Sequence, residues 1–299
     1  MVRNDTIAGI GKVCEHGRLK KGEASMGIIS YPFGAGRTLT HVLESGSGDR
    51  NVLLIHGLGA RADRWQTNLE PLAAAGYHTY AIDLPGHGFA YKGADYEYGV
   101  PAFADFVKNF MESMGLERAS IVGTSLGGHV AGYFASRNPE RTTALVLVGA
   151  VGVMPLGRET SENVRANVKN VTRDGIAGKL RFVLAKQELI TEDFINEEFR
   201  INNSPGAQEA FNVLGDYIVE SIDNDNVGAD LKDYAAAKPM LLIWGAEDQA
   251  VPLSVGEGAR NLIGSVSLEV LAGCGHCSYM EDTQRFNEIL IGFLDDKVS

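Results

Sequence analysis

Around position 125 the chain reads Gly123-Thr124-Ser125-Leu126-Gly127-Gly128. An apolar run, Ala119–Thr124, leads into it and a helix-like segment, HVAGYFASRN, leads out. G-x-S-x-G between a strand and a helix puts the serine on a sharp, strained turn, with glycines leaving room for close backbone approach. Ser125 then stands at a helix N-terminus, where backbone N–H groups favour a developing negative charge. A serine is a poor nucleophile at neutral pH and needs a base, which in turn needs an orienting acid. His276 lies in AGCGHC, just past the last apolar run, and Asp248 lies in WGAEDQAVP, just past the run before it. These are the expected general base and orienting acid. Glu247 is the competitor for the second role, in which case Asp248 would be only a turn or cap residue.

The first central apolar run ends in His56-Gly57-Leu58-Gly59-Ala60. Its glycines permit the backbone to approach the nucleophile, so the Leu58 and Leu126 N–H groups are the expected oxyanion hole. His56 itself reads as structural. Asp83-Leu84-Pro85-Gly86-His87-Gly88 ends another run and reads as a loop held by its own polar groups, with structural roles for Asp83 and His87. Cys274 and Cys277 form C-x-x-C, but no second Cys/His pair follows at zinc-ligand spacing, so no metal is expected.

The elements that must position these residues are short apolar runs alternating with helical periodicity, the pattern of βαβ units and a parallel sheet. The runs are 51–56, 77–83, 119–124, 144–149, 239–244 and 266–271, and their two-sided apolar character suits strands covered on both faces. Segments 26–31 and 38–43 are expected to pair as an antiparallel edge. Helices are expected over 65–75, 100–114, 126–137, 254–263 and 282–294. The stretch 151–234 carries helical patterns without a convincing strand and reads as an inserted helical lid. The expected layout is an N-terminal extension over 1–25, a core made of 26–150 and 235–299, and the lid between.

The chain has 299 residues, 44% hydrophobic and 22% charged, enough for a sizeable core. A formal net charge of -11 disfavours nucleic acid or an anionic membrane surface as partner. No apolar stretch approaches the roughly 18 residues of a membrane span, and the N-terminus lacks a signal-peptide core. Three cysteines, Cys14, Cys274 and Cys277, point to a reducing, cytoplasmic setting without disulfides.

Taken in order, HGLGA, DLPGHG, GTSLGG, WGAEDQAVP and AGCGH resemble the successive landmarks of the α/β-hydrolase superfamily, over about residues 36–150 and 234–297. The order Ser, Asp, His is that of this fold. The resemblance implies a mostly parallel sheet flanked by helices, an inserted lid, acyl-enzyme chemistry on a small ester or related acyl substrate, and no cofactor. The C-terminal part and LITEDF look most like the meta-cleavage-product hydrolases, which cut carbon–carbon bonds in ring-opened aromatic dienoates. The chain departs from that group in having HGLGAR for its broader glycine loop and Cys277 for the tryptophan after the histidine. That group holds the substrate carboxylate with a lid arginine, and Arg200 and Arg181 are the candidates here, against the alternative of solvated surface residues. A carboxylesterase, a C–C bond hydrolase and a non-catalytic ligand-binding protein of the same fold stay open. So does the oligomeric state, a homodimer included.

Overall fold

A computed structural model describes residues 27–297. The N-terminal extension, with Cys14, and the start of the first expected strand lie outside the described residues. In chain order the elements are β1 Ile29–Ala35, β2 Thr38–Ser45, β3 Asn51–Ile55, α1 Gln66–Ala74, β4 His78–Ile82, α2 Val100–Met114, β5 Ala119–Thr124, α3 Leu126–Arg137 and β6 Thr142–Val148. There follow α4 Arg158–Lys169, α5 Arg173–Val183, α6 Glu192–Asn202, α7 Ala207–Glu220, α8 Gly228–Ala237, β7 Met240–Gly245, α9 Leu253–Ile263, β8 Ser267–Leu271, α10 Ser278–Glu281 and α11 Thr283–Lys297.

The eight strands form one sheet in the order β1-β2-β4-β3-β5-β6-β7-β8. β1 and β2 are antiparallel to their neighbours, and every pairing from β4 to β8 is parallel. The period of two in a strand explains the two-sided apolar runs. Leu53, Ile55, Ile121, Leu145, Leu147, Leu242 and Trp244 bury into a core with α2 and α3. Their neighbours Val52, Leu54, Val122, Val146, Val148, Leu241 and Ile243 bury into a second core with α1 and α11. The central strands are therefore sealed on both faces, which leaves their ends open for chemistry.

β8 departs from the expectation of cover on both faces. Ser267, Glu269 and Val270 are exposed, and Leu271 alone is buried, because β8 is the sheet's last strand. The segment between β6 and β7 is helical throughout its regular structure, as the missing strand pattern implied. Within it α4 and α7 pack together, with Lys169 Nζ 2.6 Å from Asp216 Oδ1 across the pair. α8 instead packs on α3 and α9 at the sheet's flank. Two of these helices start on threonine caps: Thr172 Oγ1 accepts from Gly175 N–H, and Thr191 Oγ1 accepts from Phe194 N–H. Among the described residues no helix is long and apolar enough to cross a membrane.

Candidate active site

β5 and α3 meet at Ser125, whose φ of 55° and ψ of -121° make it the only non-glycine with positive φ among the described residues. Such a conformation costs on the order of 1–3 kcal/mol and persists only where the surroundings impose it. They do so here: Ser125 N–H donates to Val148 O at 3.0 Å, and Ser125 O accepts from Gly128 and Val151 N–H. A Cβ at Gly123 would strike Gly127 O, and one at Gly127 would strike Ile55 O and His56 O. The pentapeptide's two glycines thus pay for space rather than flexibility.

Beyond the ends of β7 and β8, His276 Nδ1 meets Asp248 Oδ2 at 2.8 Å, with both side chains buried. Asp248 Oδ1 accepts from Ala250 N–H at 2.9 Å and Val251 N–H at 2.8 Å. One carboxylate therefore does both jobs weighed for it: it closes the turn with one oxygen and holds the imidazole with the other. The Glu247 side chain is exposed. A carboxylate facing Nδ1 fixes the proton there and leaves Nε2 with its lone pair, the tautomer of a general base. Gly149 lies between this pair and Ser125. It directly follows Val148, the acceptor of Ser125 N–H, and an added Cβ on it would be 3.1 Å from both Asp248 Oδ2 and His276 Nδ1. Among the described residues the Ser125 hydroxyl does not hydrogen-bond His276, a contact that is often long until substrate is bound.

Leu126 opens α3, so its N–H has no carbonyl one turn earlier in the helix. Leu58 follows β3, and among the described residues its N–H has no acceptor. The β3 loop is pressed onto the serine, since a Cβ on Gly57 would come within 2.9 Å of Ser125 Cβ.

His56, Asp83 and His87 brace this loop from behind. His56 Nε2 accepts from Leu84 N–H at 2.9 Å, and His56 Nδ1 lies 2.8 Å from Gly57 O. Burial pushes His56 below its usual pKa and keeps it neutral, as accepting that bond requires. Burial pushes Asp83 upward, but the His41 hydrogen bond, the nearby His56 and N–H donation from Ala62 (2.6 Å) and Phe89 (2.7 Å) outweigh it and hold the carboxyl below its usual range. His87, buried against His56, is pushed down to about 3.

The arginines assigned to the substrate carboxylate fare differently. Arg200 and Arg181 are both exposed, and among the described residues neither side chain has an ion-pair or hydrogen-bond partner. Among the described residues the buried arginines are two that the motifs did not single out. Arg61 and Arg64, in the loop after β3, are 3% and 8% exposed and pair with Glu198 of α6, itself 3% exposed. Arg61 also meets Asp63 at 2.6 Å and Glu197 at 3.1 Å, and the Arg64 guanidinium lies 4.1 Å from the centre of the Phe194 ring. The sequence signal was a pair of arginines flanking Asp63 directly after the glycine-rich HGLGA. Cys274 and Cys277 are free thiols, pushed up to about 11 and about 12 by burial. Among the described residues no cluster of His, Cys, Asp or Glu is placed to hold a metal ion.

Residues 50–283 match the family model described as the alpha/beta hydrolase fold. A dihydrolipoyllysine-residue acetyltransferase component of the acetoin cleaving system from Cupriavidus necator is 32% identical over 248 residues, 82% of this chain. The chain spans 63% of that protein's length. A 2-hydroxy-6-oxononadienedioate/2-hydroxy-6-oxononatrienedioate hydrolase from Pseudomonas putida is 30% identical over 267 residues, covering 85% of this chain and 91% of its own. Among solved structures, the meta-cleavage product hydrolase of Pseudomonas fluorescens IP01 superimposes with a TM-score of 0.78 at 28% identity, over 92% of this chain and 99% of that one.

Proposed function

Because the chain belongs to the α/β-hydrolase family, we propose that Ser125, His276 and Asp248 form its catalytic relay and that it hydrolyses a carbon–carbon bond in a ring-opened aromatic dienoate. The observation that carries the relay is the buried Asp248–His276 hydrogen bond beside a serine held at positive φ. The relatives named as oxo-dienoate hydrolases, which align over nearly their whole length, favour this substrate over the small carboxylic ester that the motifs alone put first.

In this mechanism His276 Nε2 moves protons while Asp248 stabilises the imidazolium. For a vinylogous 1,5-diketone the same groups first help the enol become the ketone. Ser125 Oγ then attacks the acyl carbonyl, and the oxyanion is met by the Leu58 and Leu126 N–H groups. The carbon–carbon bond breaks, its electron pair and a proton stay with the dienoate fragment, and water releases the acyl group as a carboxylic acid. No cofactor takes part. We further propose that α4–α7 form a lid over the strand ends, with α8 belonging to the core it packs on.

The test is spectrophotometric. Wild type and Ser125→Ala are compared on a ring-opened aromatic dienoate and on p-nitrophenyl acetate and butyrate. The proposal expects preference for the dienoate and loss of nearly all turnover in the variant. Preference for the esters would make this a carboxylesterase, and an undiminished Ser125→Ala rate would end the relay.

A further inference from the structure

The loop that carries His276 is tied to the segment that follows α5 by one side chain outside the relay. Glu281, at the end of α10, is 5% exposed, and its carboxylate has three backbone donors. Gly275 N–H donates to Oε1 at 2.9 Å, while Ala185 and Lys186 N–H donate to Oε2 at 2.8 and 2.9 Å. Two further bonds join the same segments: His276 N–H donates to Val183 O at 2.8 Å, and Lys186 Nζ donates to Glu281 O at 2.6 Å. The approach is tight enough that a Cβ on Gly275 would come within 2.8 Å of Ala185 N, 2.9 Å of Val183 O and 3.2 Å of Glu281 Oε1.

We propose that Glu281 is a positioning residue for the general base, which it holds through the Gly275 peptide and joins to residues 183–186 as one body. The inference rests on the relay proposed above. Asp248 fixes the imidazole from its Nδ1 side but sets neither the height nor the tilt of the peptide that carries it. That peptide sits in a glycine-rich loop, AGCGH, with no regular structure of its own. Among the described residues the one buried carboxylate that accepts from this peptide is Glu281, and a carboxylate accepting several N–H groups makes short, charge-assisted bonds that resist displacement. Each of its oxygens serves a different segment, so no neutral side chain replaces it. A glutamine could satisfy one side only by turning its NH2 against the N–H groups on the other.

The experiment uses a fluorophosphonate, which labels an activated serine irrespective of the natural substrate. Second-order labelling constants are measured from pH 5 to 9 on the full chain, for wild type, Glu281→Gln and Gly275→Ala, with Ser125→Ala as blank and thermal melts alongside. A misplacement on the 1 Å scale costs about 100-fold in rate, so Glu281→Gln is expected to label about 10- to 100-fold more slowly, with a displaced pH midpoint, in protein that still melts cooperatively. Gly275→Ala, which wedges the same contact while leaving the carboxylate and its charge in place, is expected to slow labelling likewise, and it decides the matter if Glu281→Gln does not fold. A purely structural role would lower the labelled fraction while leaving the rate constant and midpoint of the folded fraction at wild-type values, and that result overturns the proposal. Wild type labelling no faster than Ser125→Ala would overturn the relay, and this inference with it.

Discussion

The substitution Asp248→Asn separates the two jobs of that carboxylate. In the wild type Oδ1 closes the turn through Ala250 and Val251 N–H, and Oδ2 faces His276 Nδ1. Asparagine keeps one oxygen. Left on the turn, it puts an NH2 against Nδ1, which forces the imidazole to carry its proton on Nε2, where it is no base towards Ser125. Flipped, it restores the histidine but points two N–H donors at the N–H groups of Ala250 and Val251. The first state keeps both turn bonds and is favoured, so the fold should survive while the tautomer is wrong. Loss of the correct tautomer in a serine–histidine–aspartate relay lowers kcat about 10⁴-fold, and at about 1.36 kcal/mol per decade this is roughly 5 kcal/mol of transition-state stabilisation. The assay is steady-state turnover of the best substrate, or fluorophosphonate labelling, with a urea titration as folding control. A variant within tenfold of wild type, at unchanged stability, would refute the assignment of Asp248 and return Glu247 to consideration.

Removing Glu198 would strand the Arg64 guanidinium, whose other close partner is the Phe194 ring, and would take one of three carboxylates from Arg61. Breaking a buried pair costs about 3–5 kcal/mol, so Glu198→Ala should lower the urea midpoint by that equivalent, whereas the exposed Arg200→Ala should leave it in place. A second expectation concerns acid. His87 is held at about 3 in the folded chain against 6.5 when free, so between these values the unfolded state binds a proton that the native state refuses. Its contribution is fully present above pH 6.5 and is lost as the pH falls, with a slope of up to about 1.4 kcal/mol per unit. Urea midpoints of His87→Phe across pH 4–7 should show a shallower acid limb than wild type, and parallel limbs would count against this account.

What the sequence made legible was whatever is encoded within a few neighbours. The central strands announced themselves because alternate residues of one run feed two separate cores, as Val52 and Leu53 do. β8 shows the limit, since a short apolar run reads the same whether the strand is central or last, and Ser267, Glu269 and Val270 turn out exposed. The turn at Ser125 is local as well: strand, two space-saving glycines and helix are contiguous. The Asp248–His276 pair was accessible because each residue lies in the loop after a strand, and neighbouring parallel strands deliver their C-terminal loops side by side. The ambiguity with Glu247 could not be resolved that way, because one residue of turn geometry decides which carboxylate points inward.

The polar contacts left unread share a physical character. Arg61 meets Glu198 across 137 positions and Glu281 meets Ala185 across 96, and in each case one partner lies in the insertion between β6 and β7. Nothing in the composition of α6 distinguishes Glu198 from its exposed neighbour Glu197, since a helix with acidic residues on several faces reads as solvated all round. Only the packing of α6 on the β3 loop turns one glutamate into the buried counter-ion of two arginines and leaves Arg200, two residues on, exposed. The same packing separates the two kinds of arginine, since Arg200 and Arg181 of the insertion are exposed and Arg61 and Arg64 are buried. A search among helical residues of the insertion finds exposed cations, while the buried ones come from the core loop that also presents the Leu58 amide. Among its contacts with the core, the insertion has two buried carboxylate ties, to the loop after β3 through Glu198 and to the His276 loop through Glu281. Movement of α6 away from the strand ends would have to break the buried ion pair at the first, and movement of the segment after α5 would have to break the bonds to the Gly275 and His276 peptides at the second.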